Sequence, residues 1–109
     1  MDDIIVVLTN LPDRAAAVRL AEALVAGRLA ACVNVLPECT SVYRWKGKLE
    51  SAAEVPVLIK TSAARYDAVE AAIRALHPYE LPEIIAVPAV HGLARYLQWV
   101  ADESATSIG

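Results

Sequence analysis

The sequence has no excess of basic residues. Its 10 lysines and arginines stand against 13 aspartates and glutamates, which gives a net charge of −3 at neutral pH. Proteins that bind nucleic acid need a positive surface to displace counterions from phosphates, and no cluster of basic side chains occurs here. The composition therefore excludes nucleic acid as an expected partner.

Long hydrophobic runs are also missing. The longest strongly apolar run covers residues 4–8, whereas a helix that spans a membrane needs about 20 apolar residues. The sequence begins Met1-Asp2-Asp3, which is acidic where a secretory signal is positively charged. We therefore expect a cytoplasmic protein without a membrane segment.

Cysteine is scarce, and the two present are Cys32 and Cys39. On one extended strand they would stand roughly 23 Å apart at about 3.3 Å per residue, whereas a disulfide needs Cα atoms about 5.5 Å apart. A bond within the chain would require the chain to fold back at Pro37. We therefore predict buried thiols, and the spacing matches no zinc motif.

Catalytic motifs are absent as well. The sequence contains no glycine-rich phosphate loop, no nucleophile elbow and no His-Glu metalloprotease motif. No nucleophile, base and orienting group can be assembled into a set. We therefore expect a protein that is not an enzyme and that requires no cofactor.

What the sequence does contain is a regular alternation of strand and helix patterns. Strands are predicted at 4–9, 29–36, 40–45, 49–61 and 83–90, with a kink at Pro37 and a hairpin turn over 46–48. Three helices are predicted as well. The first covers 13–26 and ends at Gly27 in a left-handed cap, and the second begins at a cap formed by Ser62 and ends at Pro78. The third covers 93–101.

With 29–45 counted as one strand kinked at Pro37, this order predicts an α+β fold of the ferredoxin-like βαββαβ type. It has an extra C-terminal helix and a long kinked hairpin between the second strand (29–45) and the third (49–61). We expect one domain over 1–109, with a frayed tail over 102–109. Residues 4–8 and 84–87 do not alternate polar and apolar side chains. Both sheet faces should therefore be covered, either by the terminal helix or by other copies of the chain, which predicts an oligomer.

Several segments in order resemble the CutA family of divalent-cation tolerance proteins. They are 29–35 (LAACVNV), 41–50 (SVYRWKGKLE), Glu54, 59–61 (IKT), 77–84 (HPYELPEI) and 96–99 (YLQW). The resemblance extends over nearly the whole sequence, from Ile4 to about Trp99. It implies a ferredoxin-like homotrimer in the cytoplasm that is linked to tolerance of divalent metals, especially copper.

The resemblance also implies a copper site made of a cysteine near the end of the first strand and two adjacent histidines. This sequence has Thr9 and Leu76 at two of those positions, so only His77 remains. Imidazole binds Cu²⁺ well, but a histidine at a helix end also caps the last carbonyls, and we favour the capping role. One ligand does not make a tight site, so weak binding of Cu²⁺ or another divalent cation is the expectation.

The remaining candidates each carry an alternative. Cys32 is a possible Cu(I) ligand, although a buried thiol is the favoured interpretation, and Cys39 has no assigned role. Tyr43, Trp45 and Trp99 are predicted at the trimer interface, with ligand stacking as the minority interpretation. Carboxylates at Glu50, Glu54, Glu80 and Glu83 could bind metal, but solvated or lysine-paired carboxylates are commoner.

A second hypothesis keeps the same clefts between subunits but gives them another ligand. The fold and trimer of the family resemble the PII signalling proteins, which bind small regulators between subunits. An anionic ligand would then lie near Lys60 and Tyr79, with Glu80 and Glu83 at the rim. Whether the cleft is acidic or basic discriminates between the two hypotheses.

Overall fold

The computed structural model describes residues 3–106 and contains five strands and three helices within them. The strands are β1 (Ile4–Leu11), β2 (Cys32–Val35), β3 (Cys39–Trp45), β4 (Lys48–Ser62) and β5 (Ile84–Pro88). The helices are α1 (Arg14–Ala26), α2 (Tyr66–Leu76) and α3 (Ala94–Glu103), and a 3₁₀ turn over Ala63–Arg65 precedes α2.

The sheet is antiparallel and has the order β2-β4-β1-β5, with β3 also paired to β4. The predicted kink at Pro37 is confirmed, because β2 ends at Val35 and β3 begins at Cys39. The hairpin turn is confirmed too. Lys46 and Gly47 have φ angles of 51° and 79°, and two consecutive positive φ values match the right-handed twist of a hairpin.

One face of the sheet carries α1 and α2 and holds the main core. Along β1 the side chains that point to this face are Ile5, Val7, Thr9 and Leu11, all buried. They pack with buried apolar residues from β4 and from the two helices, which are Val57, Ile59, Ala17, Leu20, Leu24, Val69 and Ile73. The apolar residues of α1 and α2 therefore meet the sheet, except that Leu76, at the end of α2, is 54% exposed.

The opposite face of the sheet, which we call the open face, is covered at one end only. There α3 packs Val100 against Ile4 and Ala31. Farther along, Leu8 is paired with Leu58 on β4 and with Ile85 on β5, where Ile85 is 54% exposed. The terminal helix therefore supplies part of the cover that the sequence required, and apolar side chains of β1, β4 and β5 remain accessible.

Two predicted helix caps are wrong in their details. Gly27 has a φ of −84°, and the left-handed residue is Arg28, with a φ of 59°. The Arg28 guanidinium bonds the carbonyls of Asp102 and Ala105 at 2.7 and 3.0 Å, and these charge-assisted bonds offset the backbone strain. Ser62 makes no capping bond, because its hydroxyl lies 2.8 Å from that of Ser104.

The end of the chain also differs from the prediction. Asp102 and Glu103 belong to α3, and Ser104 is fully buried, so the predicted frayed tail does not begin at residue 102. Residues 107–109 lie outside the described residues. Within residues 3–106, no helix combines the length and apolar character that crossing a membrane requires.

Candidate functional site

A groove of about 1060 Å³ opens between strand β3 and the segment that joins α2 to β5. Its walls include Tyr43 and Trp45 on one side, and Tyr79, Glu80 and Glu83 on the other. Asn10 and Glu54 lie at the bottom, where β1 ends and β4 projects beyond it. The structure therefore brings together three of the predicted cleft residues and two of the predicted interface aromatics.

His77 fixes the segment that forms one wall of this groove. It follows the last residue of α2 and is only 8% exposed. The backbone N–H of Tyr79 donates to Nδ1 of His77 at 3.2 Å, so the ring carries its hydrogen on Nε2, which donates to the carbonyl of Asn10. His77 thereby ties the end of α2 to the end of β1.

These bonds bear directly on the predicted metal role of His77, which stays a prediction. Both ring nitrogens already have protein partners, and a metal ion needs a free lone pair on one of them. Binding through His77 would therefore break its bond to Tyr79 or its bond to Asn10. The predicted capping role is wrong in its partners, because the ring bonds the Asn10 carbonyl and the Tyr79 amide rather than the last carbonyls of α2.

Glu54 places a carboxylate at the floor of the groove. It is 8% exposed, although it belongs to a residue type that is seldom buried. The phenol of Tyr79 lies nearby, and burial raises the pKa of Tyr79, with the negative charge of Glu54 raising it further. The two side chains are thus electrostatically coupled, because a neighbouring carboxylate opposes ionisation of the phenol.

This coupling predicts a change in the titration of Tyr79. In the wild type, its raised pKa delays phenolate formation to above pH 10, the ordinary value. The contribution of the Tyr79 phenol to the free energy of unfolding is fully present below pH 10. It is lost as the pH rises through the raised pKa of Tyr79. We expect Glu54→Gln to shift the titration of Tyr79 toward lower pH, measured by phenolate absorbance against a Tyr79→Phe reference. An unchanged titration would contradict the coupling.

The two other carboxylates sit nearer the rim. Glu83 accepts a hydrogen bond from the Asn10 side chain at 3.0 Å, and Glu80 lies 3.9 Å from the Lys46 ammonium. The ion pair is well exposed on both sides, so water screens it and it contributes little to stability. Both carboxylates remain accessible from the groove.

Lys60 and Cys32 lie elsewhere in the protomer, so the predicted grouping of Lys60 with Tyr79 would have to form between subunits and stays a prediction. They are paired across β2 and β4 on the open face, and the Lys60 ammonium stands 5.8 Å from the ring centre of Tyr96 on α3. Lys60 is six positions from Glu54 along β4, which is roughly 20 Å at about 3.3 Å per residue. Lys60 therefore contributes no charge to the groove of its own protomer.

Trp99 is also separate from the groove. It lies on α3, is 44% exposed, and its ring centre is 5.6 Å from that of Tyr96. Trp99 could contact a second copy of the chain, but it cannot share a ligand with Tyr43 and Trp45 in one protomer. Its predicted interface role stays a prediction.

The remaining candidates are dispersed. Thr9 is buried on the helix side of the sheet, and its hydroxyl has no hydrogen-bond partner within residues 3–106. Leu76 faces outward from the end of α2. The two thiols are free and half-buried, with Cys39 at 3.8 Å from the Ser41 hydroxyl. Across the described part of the chain, no three of the histidine, cysteine, aspartate and glutamate side chains form a metal cluster.

The sequence did not identify Asn10 as part of the site. Its amide bonds Glu83 and its carbonyl accepts from His77, so it joins both parts of the groove wall. The available signal was a polar residue directly after the apolar run of β1. Strand ends commonly carry polar side chains, so this signal alone did not distinguish Asn10.

Together, these observations define a small α+β protein with helices on one face of an antiparallel sheet, an open apolar face, and an acidic groove at the sheet end. The sequence model of the CutA1 divalent ion tolerance protein matches residues 5–103. The chain belongs to this family, as its resemblance to CutA predicted.

Individual relatives agree with this assignment. Protein CutA of Homo sapiens is 47% identical over 89 residues, and divalent-cation tolerance protein CutA of Thermus thermophilus is 41% identical over 99 residues. The alignments cover 82% and 91% of this chain. They cover 50% of the human protein and 96% of the Thermus protein, and the chain spans 60% of the Xenopus laevis homologue.

Solved structures show the same fold. CutA1 from Oryza sativa superposes with a TM-score of 0.92 at 39% identity, covering 97% of each chain. CutA from Xylella fastidiosa gives 0.91 at 44% identity, covering 94% of this chain and 99% of its own. The mixed fold with an antiparallel sheet and three helices is therefore that of CutA1 structures.

Proposed function

We propose that the chain is a cytoplasmic divalent-cation tolerance protein that works as a homotrimer with a ferredoxin-like fold. The membership in the CutA1 family supports the link to metal tolerance. The strand order β2-β4-β1-β5 with α1 and α2 on one face supports the ferredoxin-like description. In this proposal the groove binds a divalent cation, such as Cu²⁺, weakly and between subunits.

One observation carries the proposal: the open face and the groove meet at the same residue. Ile85 pairs with Leu8 on the open face and also lines the groove. Copies of the chain that covered the open face would therefore close the groove as well. The site would lie between subunits, which fits the absence of a three-ligand cluster within residues 3–106.

The charge of the groove supports a cation as its ligand. Three carboxylates line it, from Glu54, Glu80 and Glu83, and the cationic side chain among the lining residues is Arg44. Carboxylate oxygens suit divalent cations, whereas an anion would meet net repulsion, since Arg44 offsets only part of the charge of the three carboxylates. The charge of the groove within one protomer therefore supports the alternative of an anionic ligand less well.

Calorimetry with Cu²⁺ tests this proposal. We expect the double variant Glu80→Gln/Glu83→Gln to bind Cu²⁺ at least about tenfold more weakly than the wild type, since each lost charge-assisted contact costs on the order of 1 kcal/mol. The matched control is Glu22→Gln/Glu103→Gln, which removes two exposed carboxylates from the outer surfaces of α1 and α3.

The outcomes separate the candidate ligands. Equal affinities for the wild type and both double variants would contradict cation binding in the groove. Equal heats for the wild type and His77→Ala, with the fold intact, would remove His77 from the ligand set. Anionic metabolites that raised the melting temperature of the wild type but not of Lys60→Gln would favour the sensor alternative instead.

A further inference from the structure

A second cavity, of about 210 Å³, lies between the beginning of α2 and the end of α3. We call it the Arg65 pocket, and it is lined by Ser62, Ala64, Arg65, Ala101, Ser104, Ala105 and Thr106. At about 30 Å³ per water molecule, it has the volume of roughly seven waters. That is enough for one tetrahedral oxyanion. No residue of the groove takes part in it.

The guanidinium of Arg65 has an unmet hydrogen-bonding requirement in this pocket. Its Nε atom is buried, and no atom within the described part of the chain accepts a hydrogen bond from it. An arginine stays charged at all ordinary pH values, and an unpaired buried donor is costly. A hydrogen-bond acceptor supplied by a bound ligand would remove the cost of the unpaired Arg65 donor.

The hydroxyls of Ser62 and Ser104, which line the pocket with Arg65, are already hydrogen-bonded to each other. The Ser104 hydroxyl donates its hydrogen to the Val100 carbonyl at 2.7 Å. The Ser62 and Ser104 hydroxyl oxygens are 2.8 Å apart, and since the Ser104 hydrogen is already used, Ser62 is the donor in that bond. Both serines are buried, with 3% and 0% exposure. The chain of bonds holds this wall in place, and neither serine accepts a hydrogen bond from the Arg65 Nε.

The charges around the pocket favour an anion. None of the seven residues that line it is acidic. A second guanidinium, that of Arg28, bonds the Ala105 carbonyl at the edge of the pocket. On α3, the Asp102 carboxylate accepts a hydrogen bond from the Gln98 side chain at 2.8 Å.

We propose that the Arg65 pocket binds a small tetrahedral oxyanion of the phosphate type, held by the Arg65 guanidinium through charge-assisted hydrogen bonds. The pocket admits either free inorganic phosphate or the phosphate of a small monoester. This inference does not depend on the metal proposal, since the two cavities share no residues.

The test measures binding of inorganic phosphate and of glycerol 3-phosphate by calorimetry and by phosphorus NMR line broadening, at constant ionic strength set with chloride. The variant is Arg65→Gln, and the matched control is Arg74→Gln, an exposed arginine on α2 outside the pocket. Circular dichroism confirms that both variants fold.

We expect the wild type and Arg74→Gln to bind one or both ligands, and Arg65→Gln to bind at least about tenfold more weakly, as loss of a charged contact predicts. Arg65→Lys should recover part of the affinity, because it keeps the charge without the planar fork. Binding that is equal in Arg65→Gln and Arg74→Gln, or absent from the wild type, would overturn the proposal.

Discussion

Replacing Ile85 by lysine should reduce the native mass of the assembly to about one third. In a single chain this side chain is 54% exposed, so a lysine there can reach water and leave the fold intact. In the proposed trimer, each copy would bury a charge against apolar neighbours such as Leu8 and Leu58. Burial of an unpaired ammonium costs several kcal/mol or more.

Val25→Lys is the matched control for this prediction. Val25 is 43% exposed, but it lies on α1, on the helix side of the sheet. The control should keep the wild-type mass, because the open face is unchanged. Native mass spectrometry and sedimentation at micromolar concentration measure both variants. A wild-type mass for Ile85→Lys would contradict the role of the open face in assembly.

Replacing His77 by alanine should lower the free energy of unfolding by about 2–4 kcal/mol. The change leaves the Asn10 carbonyl and the Tyr79 amide without their partner, and because both bonds are part-buried each loss costs about 1 kcal/mol, toward the low end for an unpaired polar group. It also removes the contact with the Tyr79 ring, whose centre is 4.6 Å away. Denaturant unfolding at one fixed protein concentration measures the effect.

The other histidine of the sequence provides the control. His91 is exposed, in the loop between β5 and α3. We expect His91→Ala to change the unfolding free energy by no more than about 0.5 kcal/mol. If His77→Ala were as stable as His91→Ala, the clamp at the end of α2 would be refuted. The metal role would then be the better explanation for this histidine.

Secondary structure followed from the sequence wherever local chemistry determined it. The interruption at Pro37 and the turn at Gly47 were predictable because proline lacks an N–H and glycine accepts a positive φ. The buried helix residues Leu20, Leu24 and Ile73 were predictable from their spacing. The lack of alternation in β1 predicted a cover for both sheet faces; α3 supplies it at one end of the open face, and cover of the rest by other copies stays a prediction.

Contacts that depend on distant residues were not predictable in this way. Ser62 has the chemistry of a helix cap, but Ser104, 42 positions along the chain, takes its hydroxyl. Arg28 adopts the left-handed conformation expected of Gly27, because its guanidinium reaches the end of α3. Such long-range bonds override local propensity, and a single sequence does not reveal them.

The site was predictable only in part. Tyr79, Glu80 and Glu83 follow His77 closely in sequence, so the structure had to bring them near one another. Lys60 was grouped with them by resemblance alone, and the strand register places it at the far end of β4. Glu54 and Asn10 join the groove because β1 ends where β4 continues, which is a property of the sheet rather than of either residue.

The mass of the wild-type assembly in solution tests the central claim most directly. Native mass spectrometry at micromolar concentration should give three times the 11.7 kDa of one chain. Hydroxyl-radical footprinting of the same sample should show that the side chains of Ile85 and Val87, which are 54% and 46% exposed in one protomer, are protected from oxidation. A stable, folded species of 11.7 kDa would mean that the open face tolerates water and that the groove lies on a single chain.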